Sequence, residues 1–270
     1  MFLTNLISYI ILGLIQGFTE PIPISSSGHL VIFKTILDLK SLNDLNFEII
    51  VNFGSLIAIV AVFYKDIVEL IKDFFKFIKT KEIKYYHNYK YCWLIVIGTI
   101  PAGIVGLLFK DYFDKLSNNV KLVGLALLIT ALFLFLIRNI KGKKEDYQIK
   151  FKDALVIGLF QVVALFPGIS RSGATIVGGM FSDLKRSVAF KFSFMLYIPI
   201  SLATLVLGIK DLIGSDIGIE MWICYLCGMV ASAFLTFFSV KWFKSIMERG
   251  KLIYFVIYCL IVGTLVILFL

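Results

Sequence analysis

The sequence predicts an all-α polytopic membrane protein with six transmembrane crossings, two re-entrant helix hairpins and an inverted-topology repeat. Two observations lead to this prediction. The chain is strongly apolar, with 59% hydrophobic residues and a mean hydropathy of +0.92 over 270 residues, which excludes an ordinary soluble domain. In addition, one polar motif rich in Ser and Gly occurs twice, each time in the middle of a long apolar stretch.

The predicted crossings are apolar segments near the length of about 20 residues that a helix needs to span a bilayer. They cover residues 49–64, 93–109, 120–137, 192–209, 222–240 and 252–270. Two further segments, 5–33 and 154–181, are longer and contain the polar motif. We expect these two to form hairpins, because irregular backbone at membrane depth is tolerated only where protein or a wet cavity satisfies its polar groups.

The two copies of the motif align when the chain is shifted by 145 positions. The first copy runs from Gln16 to His29 and the second from Gln161 to Ala174. Seven of sixteen positions are identical, whereas about one identity is expected by chance. The identical pairs are Gly13–Gly158, Leu14–Leu159, Gln16–Gln161, Ile24–Ile169, Ser25–Ser170, Ser27–Ser172 and Gly28–Gly173. We therefore predict one membrane domain, 1–270, with internal repeats of about residues 1–140 and 145–270.

Basic residues predict the topology and explain the net charge of +9. If each motif segment returns to its own side, twenty of the 27 Lys and Arg residues face one side and five face the other. The basic side holds the loops 65–91, 138–152, 185–191 and 241–251, and the other side holds 33–48, 110–119 and 210–220. The positive-inside rule places the basic side in the cytoplasm, so no nucleic-acid partner is needed. Each half then has one hairpin and three crossings, which inverts the second half relative to the first.

Both motifs contain features of an anion-binding site. In the first motif Gln16 and Glu20 share a helix face, and Pro21 places Glu20 at a helix end. The run Ser25–Gly28 resembles the N-cap of the returning half-helix. In the second motif Pro167 and Gly168 break the chain, and Ser170–Gly173 opens the next half-helix with Arg171 in it. Two helix N-termini with a guanidinium suit a group carrying several phosphate oxygens. The predicted substrate-binding residues are Gln16, Ser25, Ser27, Ser170, Ser172 and Thr175.

The ionisable residues nearest the predicted midplane are Glu20, His29 and Arg171. Such groups cost at least about 2.5–3.5 kcal/mol at a helix centre, which makes them functional candidates. The structural alternatives are an ion pair between Glu20 and Arg171 that only holds the hairpins together, and an interior His29 bonded to a carbonyl group. Capping alone would explain the other serines, so Ser26, whose repeat counterpart is Arg171, is the predicted reactive serine. It would act as the nucleophile or orient an attacking water, with His29 as its acid–base partner. Thr175 could equally bond its own i−4 carbonyl.

The motifs closely resemble those of the undecaprenyl-pyrophosphate phosphatase family, the bacitracin-resistance (BacA/UppP) membrane enzymes. The resemblance is strongest in Gln16–His29, Phe166–Thr175 and Phe192–Pro199 and covers essentially the whole chain. It implies a plasma-membrane enzyme that removes the terminal phosphate of undecaprenyl pyrophosphate, with a divalent cation, Mg²⁺ or Ca²⁺, and with a site that opens to the outer face. By position, the catalytic residues that it implies are Glu20, Ser26, His29 and Arg171, and the metal ligands are Glu20 and Gln16.

Two questions stay open in the sequence. Many relatives carry Glu where this chain has Gln16, so one carboxylate fewer is available for a cation. The rival interpretation is a transporter or flippase of an anionic isoprenoid lipid, since broken helices in inverted repeats are also transporter features. Ser26 and His29 beside Glu20 favour the enzyme, because a carrier needs no nucleophile or proton donor. The sequence leaves the oligomeric state, a homodimer included, undetermined.

Overall fold

A computed structural model describes residues 2–37, 45–116, 119–214 and 217–270 of the chain. Within these ranges the protein is helical, has no β-strand and contains one isolated backbone bridge, between Lys144 and Leu184. The twelve α-helices are α1 (Phe2–Thr19), α2 (Ser26–Ile36), α3 (Leu45–Val62), α4 (Tyr64–Thr80), α5 (Tyr86–Leu108), α6 (Lys110–Leu116), α7 (Val120–Ile137), α8 (Phe151–Val163), α9 (Arg171–Phe181), α10 (Arg186–Ile213), α11 (Ile219–Arg249) and α12 (Ile253–Phe269).

Five of these helical segments are long and apolar enough to cross a membrane. They are α1, α5 with the short turn before it, α7, α10 and α11. A sixth is added if α3 and α4, which bend by 74° at their junction, are counted as one broken span. Helix α12 is a shorter apolar helix of 17 residues. The prediction of an all-α polytopic membrane protein is confirmed, although α1, expected as one arm of a hairpin, is itself long enough to span.

Helices α1, α3 and α11 run in the same direction and pack closely. Near their beginnings the rings of Tyr9, Phe47 and Tyr225 meet with centroid distances of 4.5–5.8 Å. One turn further along, Gly13 lies against the backbone of Gly228, where an added methyl group would come within 2.2 Å of its carbonyl oxygen. Small residues allow this close approach, as is usual for helices packed in membranes. The beginnings of all three helices therefore lie at one face of the protein.

The two helix pairs that carry the motifs begin and end at opposite faces. Near the end of α2, Lys34 forms an ion pair with Glu48 of α3 at 2.7 Å, so α2 returns to the face where α1 begins. The α8–α9 pair has both ends near Lys144, whose ammonium group contacts Asp153 at 3.0 Å and whose carbonyl oxygen accepts from the backbone of Lys185 at 3.0 Å. Their re-entrant placement in a bilayer stays a prediction.

The four basic loops lie together at the second face. Two ion pairs join them, Lys191 with Asp66 (2.5 Å) and His87 with Asp146 (3.6 Å). Arg186 donates to the carbonyl oxygen of Ile140 at 3.0 Å, and its guanidinium also packs against Gly250. This clustering is what the predicted cytoplasmic side requires. Parts of the loops 33–48, 110–119 and 210–220, predicted on the other side, lie outside the described residues.

Candidate active site

The two motifs form matching helix starts in the interior. Helix α2 is capped by Ser25, whose Oγ accepts from the backbone N–H of Gly28 at 3.2 Å. Helix α9 is capped in the same way by Ser170, whose Oγ accepts from Gly173 at 3.1 Å. The predicted caps are thus present, and each contributes about 1 kcal/mol to helix stability. Both helix N-termini leave amide groups free for an anion.

Each of the two helix starts lies against the loop that precedes the other. A methyl group added at Gly28 would lie 3.3 Å from the Cα atom of Gly168, and one added at Gly173 would lie 3.3 Å from the Cβ atom of Pro23. These two contacts exchange when the chain is shifted by 145 positions, as a two-fold relation between duplicated halves would require. The duplication itself stays a prediction.

A small polar cavity of about 80 Å³ lies between the helix starts. It is lined by Glu20, Ser25, Ser26, Ser27, Ala164, Ile169, Ser170, Arg171 and Ser172. Since a water molecule occupies about 30 Å³ of liquid, the cavity offers room for two to three waters or a single small anionic group. Seven of the predicted site residues therefore surround one space, and both halves of the chain contribute to it.

Glu20 is the centre of the hydrogen-bond network at this cavity. Its Oε2 accepts from the Nε2 of Gln16 at 2.9 Å and from the hydroxyl of Ser26. Its Oε1 accepts from Nη2 of Arg171 at 2.5 Å. The Glu20 side chain is only 8% exposed and that of Arg171 is 19% exposed, so water screens this ion pair little. The arrangement places a hydroxyl, a carboxylate and a guanidinium within one cluster.

Two residues that the sequence did not place in the site support this cluster. The guanidinium of Arg171 stacks over the ring of Tyr197 at 3.7 Å from the centroid. The hydroxyl of Tyr197 donates to the backbone carbonyl of Asn52 at 3.3 Å, and the side-chain oxygen of Asn52 accepts from Gln16 at 2.6 Å. Glu48, four residues before Asn52 in α3, pairs with Lys34. The available signal was the shift of 145, which pairs Asn52 with Tyr197.

His29 lies behind the cap and does not line the cavity. Its Nδ1 donates to the carbonyl oxygen of Ser25 at 2.7 Å, and the hydroxyl of Tyr258 donates to its Nε2 at 2.7 Å. The His29 and Tyr258 ring planes are inclined by only 15°. Neither ring nitrogen contacts Ser26, whose hydroxyl bonds to Glu20 instead. The predicted pairing of His29 with Ser26 is therefore not a contact in this structure.

The remaining predicted ligands divide between the cavity and the helix packing. Ser27 is exposed, and its Oγ lies 3.5 Å from that of Ser25. Ser172 also lines the cavity, although it is buried and its hydroxyl donates to the carbonyl oxygen of Ile22 at 3.3 Å.

Thr175 takes the structural alternative considered for it. Its hydroxyl donates to the carbonyl oxygen of Arg171 at 2.9 Å and lies 2.5 Å from the hydroxyl of Ser193, outside the cavity lining. Gln161, the repeat counterpart of Gln16, is buried, and its amide has no hydrogen-bond partner among the described residues. Neither Thr175 nor Gln161 lines the cavity.

The oxygen atoms of Glu20 and Gln16 suit a hard divalent cation in kind, since Mg²⁺ and Ca²⁺ prefer carboxylate and carbonyl oxygens. Among the described residues no three His, Cys, Asp or Glu side chains cluster closely enough to hold a metal ion by themselves. Gln16 donates to Glu20 and Asn52 through its amide nitrogen, so neither of these two hydrogen bonds uses its side-chain oxygen. The residues fit a cation that phosphate oxygens help to hold.

The fold and the site define a class: a polytopic membrane protein with a polar interior cavity, formed by two opposed helix starts and an Arg–Glu–Ser cluster. Residues 9–265 match the family model described as bacitracin resistance protein BacA, and the chain belongs to this family.

Curated relatives match over nearly the full length. An undecaprenyl-diphosphatase of Bacillus thuringiensis is 46% identical over 266 residues, which are 98% of each chain. One of Bacillus licheniformis is 46% identical over 265 residues, 98% of each chain. One of Oceanobacillus iheyensis is 43% identical over 268 residues, covering 98% of this chain and 97% of the relative. The family resemblance predicted from the motifs is confirmed.

Proposed function

We propose that this protein is an integral membrane phosphatase that converts undecaprenyl pyrophosphate to undecaprenyl phosphate and free phosphate, and so recycles the lipid that carries cell-wall precursors. The relatives described above are named for this activity. The single observation that carries the proposal is the hydroxyl of Ser26 bonded to the carboxylate of Glu20 beside Arg171. A lipid carrier needs the anion site but has no use for a hydroxyl paired with a base.

In the proposed reaction the diphosphate binds at the two helix starts, with Arg171 on its oxygens. The free amides of α2 and α9 and the guanidinium all favour a multiply charged phosphate group. Arg171 donates to Glu20 through Nη2 and has further N–H donors for the phosphate oxygens, through which it stabilises the charge that develops on the transferred phosphoryl group. Phosphoryl transfer depends mainly on such positioning and electrostatic stabilisation.

Ser26 is the proposed nucleophile. As its oxygen attacks the terminal phosphorus, its proton passes to the adjacent Glu20 carboxylate. The bond between that phosphorus and the bridging oxygen breaks, and undecaprenyl phosphate leaves with the bridging oxygen. Glu20 passes the proton that it has taken to the departing phosphate oxygen and is then a carboxylate again. It next deprotonates a water molecule, whose oxygen attacks the phosphoserine. The bond between phosphorus and the serine oxygen breaks, phosphate is released, and the proton held by Glu20 returns to Ser26. Glu20 occupies the place beside Ser26 that the sequence suggested for His29.

The predicted divalent cation would be held by Glu20 and Gln16 together with the substrate's phosphate oxygens. Its chemistry there would be neutralisation of phosphate charge. We further place the protein in the plasma membrane with the basic loops in the cytoplasm, so that the face where α1 begins and α2 ends is the outer one. The substrate headgroup would then reach the cavity from outside.

Phosphate release by the purified protein in detergent tests the proposal. The substrate is an isoprenoid diphosphate, assayed with Mg²⁺, with Ca²⁺ and with a chelator, and the expected result is release that depends on the cation and disappears in Ser26→Ala. Trapping a labelled phosphoserine with a ³²P-labelled substrate would identify the nucleophile. Absence of release with every cation, together with transport of the phosphate lipid in vesicles, would establish the transporter instead.

A further inference from the structure

We infer that His29 is a positioning residue, which holds the strained backbone of Ser25 so that the hydroxyl of Ser26 faces Glu20. The inference deepens the proposed function and rests on it for the role of Ser26. It gives His29 no proton to transfer in the reaction. The grounds are the backbone of the cap, the hydrogen bonds of the imidazole and a comparison between the two motifs.

The backbone at Ser25 is in a region that residues with a side chain rarely adopt. Its φ is 69° and its ψ is 99°, and such a conformation persists only where the surroundings enforce it. The carbonyl oxygen of Ser25 accepts two hydrogen bonds, from the backbone N–H of His29 at 3.2 Å and from its Nδ1 at 2.7 Å. The imidazole therefore anchors the peptide group that leads directly into Ser26.

The second motif serves as an internal comparison. Its cap, Ser170, has ordinary extended backbone angles, φ −69° and ψ 119°. The residue that corresponds to His29 is Ala174, which bonds to the carbonyl oxygen of Ser170 only through its backbone N–H, at 2.9 Å. The imidazole thus occurs at the cap whose backbone is strained and is missing at the cap whose backbone is relaxed.

The other ring nitrogen is also occupied. A carbonyl oxygen only accepts, so Nδ1 of His29 must carry the proton, and Nε2 of the neutral ring is then the acceptor for the hydroxyl of Tyr258. The side chain is 2% exposed. Tyr258 therefore keeps the tautomer that can hold Ser25, in the way that a partner on one nitrogen fixes the role of the other.

Three substitutions at His29 separate positioning from acid–base catalysis. The side-chain amide of Asn reaches the place of Nδ1, whereas the longer Gln places its amide near Nε2. We expect the turnover of His29→Asn to stay within about tenfold of the wild type, while His29→Gln and His29→Ala fall about a hundredfold or more, the loss usual for a misplaced reactive group. A catalytic acid or base would make all three equally poor, because an amide cannot exchange a proton, and that result would overturn the inference.

A spectroscopic measurement gives an answer that does not require activity. The chain has two histidines, His29 and His87, so ¹⁵N-histidine labelling with His87→Gln leaves one imidazole to observe in detergent. We expect a protonated Nδ1 and a bare Nε2, with a shift of the Nε2 resonance in Tyr258→Phe but not in the matched control Tyr254→Phe. A proton on Nε2 with a bare Nδ1 would refute the contact. If the wild type releases no phosphate but shows the expected tautomer, the proposed function fails and the contact stands.

Discussion

Replacement of Arg171 by Lys tests the role of the guanidinium most directly. The substitution keeps the positive charge but removes the planar guanidinium. That group donates to Glu20 at 2.5 Å and stacks on the ring of Tyr197 at 3.7 Å from the centroid. Loss of one hydrogen bond to a charged group costs about 1.5–3 kcal/mol. If that bond is made to the phosphoryl group in the transition state, turnover falls about 10- to 150-fold, since each 1.36 kcal/mol is a factor of ten.

The assay is steady-state phosphate release from an isoprenoid diphosphate by purified Arg171→Lys, with Arg249→Lys as a matched control on an exposed helix end. Thermal unfolding of both variants shows whether the fold is kept. A turnover of Arg171→Lys within about threefold of the wild type would mean that a point charge suffices, and the stabilisation proposed for the guanidinium would be wrong. A lower apparent affinity with unchanged turnover would assign Arg171 to substrate binding alone.

Three further outcomes are expected. Ser26→Ala should lose about a thousandfold or more in turnover because the nucleophile is removed. Ser27→Ala, at an exposed site, should lose far less. Near-full turnover of Ser26→Ala would mean that an activated water is the nucleophile. Gln16→Glu adds a carboxylate and should lower the Mg²⁺ concentration for half-maximal phosphate release; an unchanged titration would show that this position does not contact the cation. Gly13→Ala places a methyl group 2.2 Å from a backbone oxygen of α11 and should lower the melting temperature. The control Gly103→Ala, whose methyl group would have no atom within 4 Å, should gain up to about 1 kcal/mol in helix stability. Equal melting temperatures of the two variants would contradict the packing described for α1.

Local chemistry explains why the sequence alone predicted the meeting of the two motifs. Apolar segments interrupted by Pro, Ser and Gly must satisfy their backbone groups internally, and Ser is one of the favoured residues for capping the helix that follows such a break. Glu20 and Arg171 lie 151 positions apart but are opposite charges in an apolar environment, so their pairing followed from the cost of leaving either one alone. Seven of the residues predicted for the site line the cavity for these two reasons.

Other parts of the site depend on tertiary contacts that no local pattern encodes. Tyr258 is separated from His29 by 229 positions, in a helix whose sequence is almost uniformly apolar. The positive φ of Ser25 is equally hidden, because Ser is an ordinary cap and only a neighbouring Gly would have indicated such a conformation. The sequence places His29 three residues after Ser26 in the chain. The direction of its ring, however, depends on these tertiary contacts and could not be predicted.

The contact of Gly28 and Gly173 with the opposing loop has a consequence for how this site can vary. A methyl group at Gly28 would lie 3.3 Å from the Cα atom of Gly168, and one at Gly173 would lie 3.3 Å from the Cβ atom of Pro23, so the separation of the two helix starts is set by small residues and a proline ring. Side chains on the outer surfaces of the helices do not enter that spacing. The lipid-facing walls can therefore change to accommodate isoprenoid chains of other lengths while the phosphate pocket keeps its dimensions.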